Sequence, residues 1–162
     1  MNLIDFFDKN VRNFPQRPGI VYENQTWTYA QLDSMVLRIA HGLKDLGVER
    51  ETPCAVISRN HPLAFLALLG ILKSRGSWVP LNTGNAEDDH LYILEHFDVG
   101  VLFYQKEFAT FAQRVRRSEL LQSLSLQPRC PRLCAHPGGR YLARLPARPH
   151  RAGKPLLHGL CA

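Results

Sequence analysis

The strongest constraint on the fold of this 162-residue chain is an alternation. Short apolar runs recur, each separated from the next by a segment of helical length. Cys54-Ala55-Val56-Ile57 is wholly apolar, as a strand covered on both faces must be. Ser77-Trp78-Val79-Pro80-Leu81 and Val99-Gly100-Val101-Leu102-Phe103 read as two more strands. Asn60-His61-Pro62 supplies a cap and a first-turn proline for a helix that runs to about Ser74, with Gly76 as its stop. Asn85 is placed to cap a second helix with Glu87, Asp88 and Asp89 in its first turn, where the helix dipole favours acids. Tyr92, Ile93 and Phe97 are the expected core face of that helix. Strands alternating with helices of about 10–15 residues imply right-handed crossovers and a parallel sheet.

The segments before this unit are of another kind. Leu3, Ile4, Phe7 and Val11 form a one-sided apolar stripe at helical spacing over residues 2–13. Pro15 and Pro18 end it and keep the chain extended. Gly19–Glu23 and Thr26–Tyr29 read as an antiparallel strand pair around a turn at Asn24-Gln25. Leu32, Met35, Val36, Ile39, Leu43 and Leu46 then fall on one helical face. Gly47 follows at the position where a helix turns left-handed. Lys106–Gln113 begins one more helix. The fold class expected is α/β: parallel β-α-β units preceded by an antiparallel pair.

Charge divides the chain at about residue 114. Residues 1–113 hold ten Lys and Arg against 13 Asp and Glu; residues 114–162 hold ten against Glu119 alone. The overall charge of +6 therefore belongs to the last third. That third contains no Ile, Thr, Phe, Trp, Asp, Asn or Met, and six of the 11 prolines. It resembles neither a continued Val- and Ile-rich sheet nor an ordinary Ser-, Glu- and Lys-rich linker. Residues 114–162 are expected to be an out-of-frame translation or, alternatively, a genuine disordered tail. Residues 1–113 are the expected folded unit.

Several motifs within residues 1–113 resemble those of AMP-forming acyl-CoA synthetases, members of the adenylate-forming superfamily. Thr26-Trp27-Thr28-Tyr29-Ala30-Gln31-Leu32 is similar to that family's T-Y-x-E/Q-L element. Leu72-Lys73-Ser74-Arg75-Gly76-Ser77-Trp78-Val79-Pro80-Leu81-Asn82 resembles its L-K-A-G-A-x-x-V-P-L-N/D motif. His41-Gly42-Leu43 through Leu46-Gly47-Val48, Ser58-Arg59-Asn60, Leu69-Gly70-Ile71 and Tyr92-Ile93-Leu94-Glu95-His96 followed by Val101-Leu102-Phe103 fit in order and spacing. The resemblance implies part of the N-terminal subdomain of an enzyme that activates a carboxylic acid with ATP and Mg²⁺ and passes the acyl group to CoA. It also implies a hydroxyl-rich T-S/G-G-T-T-G-x-P-K loop whose amides and Lys hold phosphates, acids for Mg²⁺ and ribose, and a C-terminal Lys. These 162 residues contain no such loop; Ala152-Gly153-Lys154-Pro155 is the nearest echo. No catalytic, cofactor-binding or metal-ligating residue is assigned, no cofactor is expected to be retained, and the expected chain is a truncated, inactive synthetase. The alternative is a non-catalytic interaction module with a basic tail.

The remaining candidates have simpler readings. Gly76 is read as a tight turn, Pro80 as a strand end, and Trp78 and Tyr29 as large apolar contacts with a polar edge. Asn82 is either substrate-adjacent or part of a plain strand-end loop. His41 is a packed or surface residue. Cys54 reads as a small core residue, and no disulfide framework is expected. Cys130, Cys134 and His136, with His150, His158 and Cys161 nearby, match no common zinc spacing. Arg114, Arg116 and Arg117 begin a basic stretch with one aromatic, Tyr141, so stacking on nucleic-acid bases is not expected, whereas nonspecific attraction to acidic partners is. Leu63–Leu72 is too short for a membrane span, and no secretory signal is evident. The expected compartment is the cytoplasm.

Overall fold

The computed structural model describes residues 2–117 and 122–126. Helix α1, Leu3–Asn13, starts from a capping box in which Asn2 Oδ1 accepts the Asp5 amide at 3.2 Å and Asp5 Oδ2 accepts the Asn2 amide at 2.8 Å. Ile4 and Phe7 are its buried face. Strands β1, Pro18–Tyr22, and β2, Gln25–Thr28, form the antiparallel pair. Their turn is at Glu23-Asn24, one residue earlier than expected, with Glu23 left-handed at φ 51°.

Tyr29 opens helix α2, Tyr29–Asp45, and does not end β2. The reason is a second capping box. Thr28 Oγ1 accepts the Gln31 amide at 3.4 Å, and Gln31 Oε1 accepts the Thr28 amide at 2.9 Å. The expected apolar face holds, with Leu32, Val36, Ile39 and Leu43 buried.

A four-stranded parallel sheet follows, in the order β4-β3-β5-β6. Its strands are β3, Pro53–Ile57; β4, Ser77–Leu81; β5, Val101–Gln105; and β6, Gln122–Leu126. Cys54 through Ile57 are buried, as a strand flanked on both sides and covered on both faces requires. Helix α3, Pro62–Lys73, links β3 to β4; α4, Glu87–His96, links β4 to β5; a 3-10 turn at Lys106–Phe108 and α5, Ala109–Arg117, lead toward β6. The apolar stretch Leu63–Leu72 lies within α3, with Leu66, Ala67, Leu69, Gly70 and Ile71 enclosed.

The helices cover both faces of the sheet. On one, residues of α1, α2 and α3 pack on Cys54, Val56, Val101 and Phe103. On the other, α4 and α5 bring Leu94, Phe111, Ala112 and Val115 onto Ala55, Ile57, Leu81 and Leu102. The change in composition at residue 114 thus falls within a helix, and Val115 is 1% exposed. Residues 127–162, where most of the expected tail lies, are outside the described residues.

Three helices end alike. After α2, α3 and α4 a left-handed residue stands at Gly47 (φ 83°), Arg75 (φ 69°) and Asp98 (φ 49°). The next amide reaches back to the helix: Val48 to the Leu43 carbonyl at 2.9 Å, Gly76 to Ile71 at 3.0 Å, and Val99 to Leu94 at 3.0 Å. The α3 stop is therefore carried by Arg75, and Gly76 has another use. A Cβ there would lie 3.1 Å from the Thr52 carbonyl oxygen and 3.2 Å from Ile71 Cγ2. Val99 likewise belongs to a helix ending, which is why β5 begins at Val101.

Helix α4 departs from its expected form. Its cap position is Ala86, because the Asn85 amide is engaged in a turn with the Asn82 carbonyl at 3.0 Å. Its buried residues are His90 and Leu94, whereas Tyr92 and Phe97 are 66% and 51% exposed. His90 is buried because its Nε2 pairs with the Asn82 carbonyl at 2.9 Å and its ring meets Phe111 edge-on at 5.4 Å.

Candidate functional site

The order of the strands marks one place on the sheet. From β3 the chain crosses to β4 on one side, then back over β3 to β5, and on to β6. The helices after β3 and β5 lie on opposite faces, so their loops diverge from the carboxyl ends of two adjacent strands. In open α/β sheets this reversal creates the crevice where ligands bind.

Here Gln105, the last residue of β5, spans the crevice. Its Oε1 accepts the Arg59 amide at 2.9 Å and lies 3.0 Å from Ser58 Oγ, which is also 2.8 Å from the Arg59 carbonyl. The single Ser58 hydroxyl proton can serve one of those oxygens at a time. Arg59 Nε pairs with Glu107 Oε2 at 2.9 Å in an exposed ion pair. His61 caps α3 through Nδ1, which accepts the Leu63 amide at 3.1 Å, and its ring meets Tyr22 edge-on at 5.2 Å. These groups tie two loops together. They include no nucleophile–base pair and no phosphate-cradling loop.

Asn82, at the same rim after β4, is exposed and folds on itself. Its Oδ1 accepts the Gly84 amide at 3.0 Å, and its carbonyl receives Asn85 and His90. Tyr29 is half-buried, with its ring 6.2 Å from Phe7. Trp78, expected to be a large apolar contact, is 43% exposed because β4 is an edge strand among the described residues. Pro80 lies within β4, opposite Val56, and does not end it. His41 is on the exposed side of α2.

Two titratable sites inside the fold are not at the crevice. Cys54 is fully buried and free, and burial pushes its thiol up to about 12. Lys73 Nζ sits 2.6 Å from Asp8 Oδ1 and 3.1 Å from Asp33 Oδ1, joining α1, α2 and α3. Burial pulls the ammonium down, but hydrogen bonds and attraction from both carboxylates outweigh it and hold Lys73 above the ordinary lysine value. Among the described residues no group of three or more His, Cys, Asp or Glu is arranged to hold a metal. Cys130, Cys134, His136, His150, His158, Cys161, Lys154, Tyr141 and the phosphate-loop echo lie outside the described residues.

The opposite, amino-terminal rim carries a recess of about 520 Å³ lined by Asn2, Arg50, Glu51, Leu72, Arg75 and Gly76. Two of its residues, Glu51 (φ 63°) and Arg75, are left-handed, and the Glu51 amide donates to the Arg75 carbonyl at 2.8 Å. The sequence hinted at half of this. The fourth place of the L-K-A-G-A motif is glycine, and this chain has Arg75 there.

Comparison with known proteins agrees with the architecture. The AMP-binding enzyme family matches residues 7–138. Surfactin synthase subunit 1 of Bacillus subtilis is 33% identical over 107 residues, covering 66% of this chain and 3% of that protein. A medium/long-chain-fatty-acid–CoA/3-oxocholest-4-en-26-oate–CoA ligase of Mycobacterium tuberculosis is 28% identical over 109 residues, covering 67% of this chain and 20% of its own. Among solved structures, a benzoate CoA ligase from Burkholderia xenovorans superposes with a TM-score of 0.75 at 19% identity, over 90% of this chain and 31% of that one. The chain belongs to the family of AMP-binding enzymes and has the fold of part of an adenylate-forming ligase. It spans a small share of each relative's length.

Proposed function

We propose that this chain is an N-terminal scaffold segment of an acyl-CoA synthetase and has no catalysis of its own. The parent reaction is ATP- and Mg²⁺-dependent activation of a carboxylic acid to an acyl-adenylate, followed by thioester formation with CoA. One observation carries the reading. The family match extends through residue 138, yet the 162 residues contain no hydroxyl-rich loop ending in lysine to hold a triphosphate. The crevice supports it, because Gln105 joins the loops where a ligand would enter. The relatives are named for different products, a CoA ligase and a surfactin synthase, so the activation step is what this segment best supports.

The test is ATP–pyrophosphate exchange with a panel of fatty and aromatic acids. The expected rate is background; acid-dependent exchange by residues 1–162 would overturn the proposal. The out-of-frame reading of residues 114–162 is tested at the gene. A second frame downstream encoding the phosphate loop supports it, and close relatives sharing the tail in the same frame refute it.

A second reading rests on the ten bases against one acid after residue 113. It makes the chain a non-catalytic module whose tail binds acidic partners, full-length synthetases included, in the cytoplasm. Pull-downs with and without residues 114–162 separate the two. No helix among the described residues is long and apolar enough to cross a membrane.

A further inference from the structure

We propose that the recess at the amino-terminal rim of the sheet binds a phosphate group, either inorganic phosphate or a phosphomonoester. The inference does not depend on the reading above.

Three observations converge on Arg75. First, its backbone is left-handed at φ 69°, a conformation that disfavours any side-chain-bearing residue. Glycine fits there without that cost, and glycine is what the resembling motif carries. Second, the Arg75 guanidinium has no hydrogen bond or ion pair among the described residues. Third, it lines an open surface recess of about 520 Å³, roomy enough for a phosphate with its water. Its neighbour Arg50 adds a second guanidinium. Glu51 is the opposing carboxylate, engaged by Arg50 at 3.3 Å. With Arg50 engaged by Glu51, and the Asp5 carboxylate on the Asn2 amide, Arg75 is the lining cation that no carboxylate engages among the described residues.

The backbone holds the two arginines on one rim. The bond from the Glu51 amide to the Arg75 carbonyl fixes the segment before β3 against the end of α3. Leu72 and Gly76 are the apolar residues of its lining. A planar guanidinium offers paired donors that match a phosphate's oxygens. Glu51 must turn away from Arg50 for both cations to engage, so removing its charge should tighten binding.

The test uses the full 162-residue chain. Inorganic phosphate and glycerol 3-phosphate are titrated at constant ionic strength against chloride, read by ³¹P line broadening and by thermal shift. Saturable broadening and a rise in melting temperature are expected. Arg75→Gly should raise the melting temperature without ligand while weakening phosphate binding at least about tenfold. Arg75→Lys should retain part of the binding, and Glu51→Gln should strengthen it. Because Arg75→Gly relieves strain, its loss of binding cannot be ascribed to misfolding. A response to glycerol 3-phosphate alone assigns the site to esters, and a response to both assigns it to the phosphate head. Absence of saturable broadening in the parent chain, or binding unchanged in Arg75→Gly, overturns the proposal.

Discussion

The two faces of the parallel sheet are built differently. On the first, α2 and α3 press so closely that a Cβ on Gly70 would stand 2.3 Å from Ile39 Cγ2 and 2.7 Å from its Cβ. Lys73 then draws α1 onto both. On the second, α4 leaves Tyr92 stacked on His96, and Phe97 edge-on to that imidazole, in the open. It is held by the inward His90 and by an exposed ion pair between Glu87 and Arg114. Among the described residues, the core on the first face draws only on the acidic two-thirds of the chain. The second needs Val115, which lies beyond the change in composition. The change of alphabet falls inside α5, three residues before its described end.

The largest expected effect is on the first face. Gly70→Ala should cost about 3 kcal/mol of unfolding free energy, read by urea titration, because β-branched Ile39 is stiff at χ1 and gives way poorly. A loss under 1 kcal/mol would mean that α2 and α3 are not in contact as described. Val115→Ala comes next, at about 2 kcal/mol for the lost burial and cavity. No change there would support residue 113 as the end of the folded unit.

Lys73→Met should follow at about 1–2 kcal/mol near neutral pH, since it leaves Asp8 and Asp33 facing each other without their cation. Because the Lys73 pKa is raised in the fold, its contribution is fully present below the ordinary lysine value. It fades as pH climbs through the higher folded value, so parent and variant should converge there. Cys54 acts in the same direction. Its folded value of about 12 means that stability falls once the unfolded thiol ionises, above roughly pH 8.5. Cys54→Ala should flatten that alkaline slope in a series of melts; an unchanged slope would show that the thiol is reached by water. The smallest effect belongs to the second face. Arg114→Ala should change stability by no more than about 0.5 kcal/mol, because its pair with Glu87 is solvated.

Much of this was legible from the residues. The apolar run at Cys54–Ile57 could only be a strand covered on both faces, and the α2 stripe identified its own buried side. Where expectation and structure part, a polar residue took an apolar position or a backbone bond outweighed a preference. His90 is buried through a carbonyl eight residues away in sequence, which periodicity does not register. Tyr29 favours strands, yet the pairing of Thr28 with Gln31 starts a helix at that point; that signal was in the sequence. Asn85 has the right chemistry for a cap but is spent in a turn. At the candidate crevice, Ser58 and Arg59 fell within a recognised motif, whereas Gln105 gave no sign. Its role depends on β3 and β5 becoming neighbours, which brings Arg59 to a residue 46 positions away in sequence.

Pro80 has a consequence for how this sheet can be extended. Ser77 donates its amide to Thr52 at 2.9 Å, on the β3 side. Alternation therefore turns the amide positions of Val79 and Leu81 inward and those of Trp78 and Pro80 outward. The outer edge of β4 offers the Trp78 N–H and, two residues on, a ring where the next donor should be. A strand from another molecule cannot zip along that side. Ordered fibre growth through this sheet would have to start from elsewhere, despite the exposed indole beside it.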